Sequence, residues 1–401
     1  MKFIVAQKHM NLSQSLTVTC IALSLASCVN KPTMLVSRAT PENSGLIFAD
    51  SWCRRKDLLT PEAKHTVESL LKTVKTTHCD TAGRELSTLT TLALYGSNIT
   101  DIEPIASLTN LKELHLINTG LSDIKPVASL TNLTNLIIDR TPLTNIQPLA
   151  SLTNLKKLQL SETPLSDIKP LASLTHLISL NLRNNQISDI KPLASLTHLT
   201  QLDLTYNKIS DIQPLASLVH LRQLDLHSNK ISDIQPLASL VHLLPALNLE
   251  NNKISDIKPL ASLTYMTSIN LSNNKISDIK PLASLTNLTQ LDLSKNQISD
   301  IQPLESLTNL TVIHLDSNQI SDLKPLQFLT SLTYIDVQSN KISDIEPLAS
   351  LTKLGSLGLS NNKISYIKPL ESLTNLTYLN LRKNPISPKI CPVQLRCGCF
   401  W

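Results

Sequence analysis

The chain has 401 residues, among them only 2 Trp, 6 Tyr, 4 Phe and 7 Gly. Aromatic side chains dominate most large cores and glycines build phosphate-cradling loops, so a chain poor in both must bury aliphatic surface in a stereotyped way; this argues against a large globular enzyme. Its 36 basic and 31 acidic residues are spread along the chain and leave a formal charge of +5, without the electrostatic footprint of a nucleic-acid binder.

Residues 1–15 carry Lys2 and Lys8 and no acid, and residues 16–27 (LTVTCIALSLAS) form an apolar or small-residue run of signal-peptide length, too short to span a bilayer. The run ends in Leu25-Ala26-Ser27-Cys28, which resembles the lipobox of bacterial lipoproteins. That resemblance implies removal of residues 1–27 and lipidation of Cys28, which would make the protein a membrane-anchored lipoprotein of the cell envelope. An ordinary secretory signal cut after Ala26, with Ser24 and Ala26 as the small residues, is the alternative; both readings export the chain. Loss of Lys2 and Lys8 from the 36 basic residues leaves 34 against 31 acids, so anchoring would fall to the lipid and not to a basic patch. Residues 28–50, with Pro32, Pro41 and Gly45 and no steady periodicity, read as a flexible tether.

Residues 51–86 read as a helical N-terminal cap. Within them, residues 58–74 place Thr60 as an N-cap, Pro61 at the first helical position and Val67, Leu70, Leu71 and Val74 at helical spacing, the pattern of an amphipathic lid. Cys53 and Cys79 flank this helix, and in an exported protein they are expected to pair.

Residues 87–386 are one unit repeated. Proline recurs at 104, 126, 148, 170, 192, 214 and 236, then at 259, 281, 303, 325, 347 and 369; each step is 22 residues except a single step of 23. The exception falls at Leu244-Pro245-Ala246, where one residue is inserted between two core leucines and a local bulge is expected. The consensus Leu-x-x-Leu-x-Leu-x-x-Asn-x-Ile-Ser-Asp-Ile-x-Pro-Leu-Ala-Ser-Leu-Thr-x matches the leucine-rich repeat, a short strand followed by a compact return. In Leu-x-Leu the two leucines point to one side of the strand and the intervening residue to the other. One repeat cannot bury its apolar positions alone, whereas a stack can, each buried Leu or Ile contributing roughly 1.5–3 kcal/mol. The expected fold is an α/β leucine-rich-repeat solenoid, with about 14 strands in a parallel concave sheet and short 3-10 or helical turns, begun by proline, on the convex side.

Consensus position nine is Asn in the ten units from Asn185 to Asn384, where an amide carrying both donors and an acceptor can satisfy the turn backbone. Ser97, Thr119, Thr141 and Thr163 stand there in the earlier units, which are expected to turn differently. The Asp at position thirteen (Asp189, Asp211 and their equivalents) is expected to accept bonds from turn amides, in preference to a calcium ladder. Histidines at repeat ends, such as His176 and His198, read as polar turn residues where Asn usually stands. Residues 387–401 end the pattern as a Cys-containing C-terminal cap. Cys391 with Cys399 is the favoured pair, pairing with Cys397 an alternative, and a zinc site of the three thiols a further one without a fourth ligand at metal spacing.

A unit such as Leu291-Asp292-Leu293-Ser294-Lys295-Asn296-Gln297-Ile298-Ser299-Asp300-Ile301, followed by Gln302-Pro303-Leu304, resembles the internalins, bacterial surface proteins with 22-residue leucine-rich repeats, and the likeness covers about residues 86–386. It implies a curved right-handed solenoid that recognises proteins on its concave sheet. The flanks differ: no immunoglobulin-like domain or wall-sorting tail follows the repeats, and the Cys-containing caps resemble those of other secreted bacterial repeat proteins.

Positions three, five and seven of each strand supply the concave face. Most are small or polar, while interface hot spots favour Tyr, Trp and Arg. The expected contact residues are therefore Tyr334 with Asp336, Tyr378 with Arg382, and His314 with Asp316, read as a C-terminal cluster on adjacent strands, together with Asp292, Asp225 and His227; Tyr95 and His115 form a weaker group. No catalytic or dinucleotide motif occurs, and the seven glycines never take phosphate-loop spacing. The sequence thus reads as a non-enzymatic, lipid-anchored protein-binding module, monomeric, without cofactor and without nucleic acid. The alternative is an intracellular leucine-rich-repeat scaffold similar to eukaryotic phosphatase regulators.

Overall fold

The computed structural model describes residues 37–38, 47–243, 245–392 and 399–401. The proposed signal, its lipidation position Cys28 and most of the tether lie outside the described residues. Two compact units meet in the chain just ahead of the inserted residue, one reaching to His242 and the other running from Leu243 to Trp401.

In the N-terminal unit the strands are β1 (Ser37–Arg38), β2 (Leu89–Tyr95), β3 (Glu113–Ile117), β4 (Asn135–Asp139), β5 (Lys157–Ser161), β6 (Ser179–Asn181), β7 (Gln201–Asp203) and β8 (Gln223–Asp225). From β2 to β8 each strand pairs in parallel with its sequence neighbour, in a register offset by one repeat, as Leu92 with Leu114 and Leu202 with Leu224. The short β1 pairs antiparallel with β2. The C-terminal unit repeats this arrangement in β9 (Ala246–Asn248), β10 (Ser268–Asn270), β11 (Gln290–Asp292), β12 (Val312–His314), β13 (Tyr334–Asp336), β14 (Ser356–Gly358), β15 (Tyr378–Asn380) and β16 (Cys399–Phe400), again parallel and in chain order.

Between strands, each return segment forms a 3-10 turn with proline in its first turn, such as Lys191–Ser195 or Lys280–Ser284. The Asp at position thirteen sets up that turn: Asp189 Oδ1 accepts the Lys191 N–H at 2.9 Å, and Asp211 Oδ1 accepts the Gln213 N–H at 2.8 Å. These carboxylates are used by the backbone beside them. The turns are then tied to one another by serine, as Ser195 Oγ donates to the Ala172 carbonyl one repeat back and to the Pro192 carbonyl in its own turn. His176 and His198 reach the Thr153 and Thr175 carbonyls through Nδ1, at 3.1 and 3.0 Å, as Asn154 and Asn309 do through their amides in other units. The leucines and isoleucines of strand and turn fill the interior of each unit.

Position nine behaves as an internal ladder. The Asn207 amide donates to the Leu182 carbonyl of the preceding repeat at 2.9 Å and to the Leu204 carbonyl of its own at 3.1 Å, while its oxygen accepts the Ile187 N–H at 3.0 Å. In the earlier units hydroxyls replace this arrangement: Thr119 and Thr141 meet at 3.1 Å, and Thr163 donates to Asn185 Oδ1 at 2.7 Å. Strands β2–β5, which belong to the Ser and Thr units, run five to seven residues, whereas β6–β15 run three, so the two kinds of unit do leave the strand differently. Directly before the ladder residue, position eight adopts positive φ in every unit from Asn118 to Lys383, between 50° and 58°, whether it is Asn, Arg, Glu, Tyr, Ser or Lys.

At the inserted residue, the Pro245 carbonyl accepts the Thr267 N–H at 2.8 Å, the role that Thr267 itself plays for Thr289. Pro245 therefore occupies position two, where Arg222, Thr267, Thr289 and Thr311 each donate an N–H to the preceding repeat. Proline has no N–H to give, and the break between units falls beside it.

Two helices precede the repeats. Helix α1 (Pro61–Thr73) is capped by Thr60, which accepts the Ala63 N–H, and buries Ala63, Thr66, Val67, Leu70 and Leu71. Val74 ends the helix as its C-cap and stays outside the buried stripe. A second helix, α2 (Cys79–Ser87), leads into β2, and the Cys53–Cys79 disulfide ties its first residue to the segment ahead of α1. At the other end Cys391 and Cys399 are bonded, with Cα atoms 5.8 Å apart, which removes two of the three thiols that a zinc site would need; Cys397 lies outside the described residues.

Candidate functional site

The face of the C-terminal unit's sheet directed away from the leucines is organised by register. Position five forms one row across the strands, Asp292 beside His314, His314 beside Asp336, Asp336 beside Gly358, Gly358 beside Asn380, and Asn380 beside Phe400. Position three forms a second row, Gln290, Val312, Tyr334, Ser356 and Tyr378.

The expected C-terminal cluster needs one correction. His314 and Tyr334 do lie on neighbouring strands, with ring centroids 4.7 Å apart. Tyr378 and Arg382 do not adjoin them, because β14 intervenes with Ser356, Gly358 and Ser360. Adjacent strands are about 4.8 Å apart, so the two tyrosines stand as walls about 10 Å apart over a floor of small residues.

The second wall gains a residue that reading the strands alone misses. Phe400, carried in on β16, packs against Tyr378 with centroids 5.3 Å apart, and the Arg382 guanidinium lies 5.5 Å from the Phe400 ring. The terminal segment therefore adds to the edge of the sheet as a further strand. A tail containing Cys and two aromatics was the available signal, but its register could not be read without a repeat to align it to.

The floor is held by Gln338. Its amide nitrogen donates to both Asp336 oxygens, at 2.9 and 2.7 Å, and its oxygen accepts from Ser360 and from the Asn380 amide at 3.0 Å. Gly358 makes room for this network: a Cβ there would stand 2.7 Å from Asp336 Oδ1 and 3.0 Å from Gln338 Nε2.

Charge is concentrated at the first wall. Burial raises the Asp336 carboxyl above the ordinary carboxylate range, and Asp316 adds to this while Gln338 and His314 oppose it. Burial likewise raises Asp292, against His314 and the hydrogen bonds from Ser294. The Tyr334 phenol is driven far above its ordinary value, first by burial and then by Asp336 and Asp316. Among the described residues no Lys or Arg pairs with Asp292, Asp316 or Asp336.

The N-terminal unit holds the remaining expected contacts. His227 is only 7% exposed and its Nδ1 lies 2.8 Å from Asp225, so this pair is largely satisfied within the protein and is a poor contact. Beside it stand two residues absent from the expected contacts: Tyr206, edge-on to His227 at 4.9 Å, and Arg183, at concave position seven, 5.5 Å over the Tyr206 ring. Tyr206 occupies the positive-φ position eight, outside the three concave positions. His115 is engaged by Glu113 on its own strand at 2.9 Å.

With this geometry in view, comparison with known proteins places the chain. The family model "Leucine Rich repeats (2 copies)" matches residues 87–129, 153–195, 175–217, 197–239, 246–284, 286–328 and 308–350, and the model "Leucine rich repeat" matches residues 330–386. The chain is a leucine-rich-repeat protein. Among solved structures, an internalin (InlF) of Listeria monocytogenes is 38% identical over 76% of this chain and 83% of its own, with a TM-score of 0.61. A leucine-rich-repeat protein of Leptospira interrogans is 28% identical over 76% and 87%, TM-score 0.65. The functional domain of InlJ from Listeria monocytogenes, whose description includes a cysteine ladder, is 26% identical over 76% and 70%, TM-score 0.64. This chain belongs to the internalin-like leucine-rich-repeat proteins. A search of curated proteins gives no match.

Proposed function

We propose that the protein is an exported, non-enzymatic binding module of the cell envelope or exterior, and that it recognises a protein partner on the concave sheet of its C-terminal unit. The observation that carries this reading is the slot between the His314–Tyr334 wall and the Tyr378–Phe400–Arg382 wall. Tyr and Arg are enriched among the residues that dominate binding energy, and here they flank a small-residue floor on a sheet otherwise lined by short polar side chains.

Two disulfides support export, because such bonds persist in oxidising compartments and are rare in the cytosol. They weigh against the intracellular scaffold. The lipoprotein reading adds a membrane anchor at Cys28, which incorporation of labelled fatty acid into the wild type, and its loss in Cys28→Ala, would test.

A photo-crosslinking residue placed at Ser356 on the slot floor tests the binding reading. With native envelope or host extract, the expected result is a discrete crosslinked protein from position 356 and none from the same residue at Phe328, which lies exposed in a 3-10 turn away from the sheet. Equal crosslinking from both positions would contradict it.

A further inference from the structure

We infer that His314, Asp316 and Asp336 form a binding site for a single transition-metal dication of the zinc class on the outer face of the C-terminal unit's sheet. The inference stands on this geometry alone and does not require that a protein docks nearby.

One imidazole nitrogen and one oxygen from each carboxylate all lie within 4.8 Å of one another. Ligands about 2.0–2.2 Å from a tetrahedral zinc ion stand roughly 3.3–3.6 Å apart, so side-chain rotations that draw the three groups together by about an ångström close them around one ion. The positions follow from the repeat. His314 and Asp336 are register partners on β12 and β13, and Asp316 follows His314 by two residues and so leaves the same face.

The residues around the three groups orient them. Gln338 fixes the Asp336 carboxylate through its side-chain amide and backbone N–H, which together use Oδ1 twice and Oδ2 once and leave a further lone pair on Oδ2. The Tyr334 ring packs on the His314 imidazole and holds its plane. Such outer contacts are what tune a metal site once its ligands are in place. Asp292, Asp316 and Asp336 gather with no Lys or Arg ion-pair partner among the described residues.

The comparison within the chain is instructive. Asp225 and His227 also lie two apart, but there the imidazole bonds its own strand's carboxylate and is nearly enclosed. In the β12–β13 pair all three groups are half-buried and none is enclosed. A mixed imidazole and carboxylate set suits zinc and its neighbours better than calcium or magnesium, which take oxygen ligands in larger number. Three protein ligands leave a fourth position open to water or to an incoming side chain.

The test is titration of the full, tag-free chain with Zn2+ by calorimetry after free thiols are capped with iodoacetamide, and with Co2+ followed by visible absorption. The expected result is one saturable high-affinity site, weakened at least tenfold in His314→Ala and in Asp336→Asn, retained in His176→Ala/His198→Ala, and giving a Co2+ spectrum that disappears in Asp316→Asn. Circular dichroism and melting of each variant report folding, and Zn2+ should raise the melting temperature of the wild type but not of Asp316→Asn. Absence of a saturable site, or a site that survives His314→Ala and Asp336→Asn, or one abolished by the His176/His198 substitutions, would overturn the inference.

Discussion

The side-chain amide of Asn207 donates to the Leu182 carbonyl one repeat back, at 2.9 Å, while its oxygen accepts the Ile187 N–H of that same repeat at 3.0 Å. One residue thus meets a stranded donor, the Ile187 N–H, and gives the Leu182 carbonyl a second bond beside the one it accepts from the Asn185 amide at 3.0 Å. Replacing Asn207 with Ala should cost about 1–3 kcal/mol for each backbone group left buried without a partner. Hydrogen exchange at the Ile187 amide reads this locally; exchange as slow as in the wild type would show that the ladder does not stabilise the turn.

Loss of the Cys53–Cys79 bond is expected to loosen the N-terminal lid and leave the far repeats intact, because a stacked array is coupled mainly between neighbours. Cys53→Ser/Cys79→Ser should lower lid stability by about 2–4 kcal/mol. Limited proteolysis should then cut near α1 first, and simultaneous cleavage throughout the C-terminal unit would contradict this.

Asp292 carries a pH signature. Its folded carboxyl is raised above the ordinary value of 3.8 by burial. A raised acid binds its proton more tightly in the folded state, so its ionised form opposes folding at neutral pH, and that penalty is relieved as pH falls through the folded value toward 3.8. Asp292→Asn can still accept the Ser294 bonds. The variant should unfold at higher urea concentration than the wild type at pH 7, with the difference shrinking on acidification; a difference that grows on acidification would contradict the assignment.

Gly358 should be irreplaceable for the slot. Gly358→Ala is expected to separate Gln338 from Asp336, since the added Cβ meets both side chains. Partner capture should fall while the melting temperature changes by only a few degrees. Retained capture would mean that the floor between the tyrosines is not contacted.

The repeat, its strand count and the ladder at position nine were legible because each depends on spacing: Leu-x-Leu fixes which side is buried, and Asn at a fixed offset meets the same backbone groups in unit after unit. The hydroxyl units were legible as different because Thr163 and its equivalents lack the amide's donors. Position eight was not legible, since residues as unlike as Glu162, Tyr206 and Lys295 all adopt positive φ there under the demand of the turn. Tyr206 was passed over as a surface residue for that reason. Tyr378 is parted from Tyr334 by β14, an order that residue type alone does not reveal, and Phe400 is illegible in the sequence because the tail follows no repeat whose register could place it. His227 and Asp225 looked available in the sequence, but their mutual bond is visible only once two side chains on one strand can be seen to turn toward each other.

The most direct test of the binding reading is the affinity of the mature chain for its captured partner before and after the combined substitution Tyr334→Ala/Tyr378→Ala/Arg382→Ala, with folding checked by circular dichroism. Each wall of the slot would lose its tyrosine, and the second its arginine as well; truncating hot-spot residues typically costs about 2 kcal/mol or more, so binding should weaken by well over tenfold. An unchanged dissociation constant in a correctly folded variant would contradict recognition through this face.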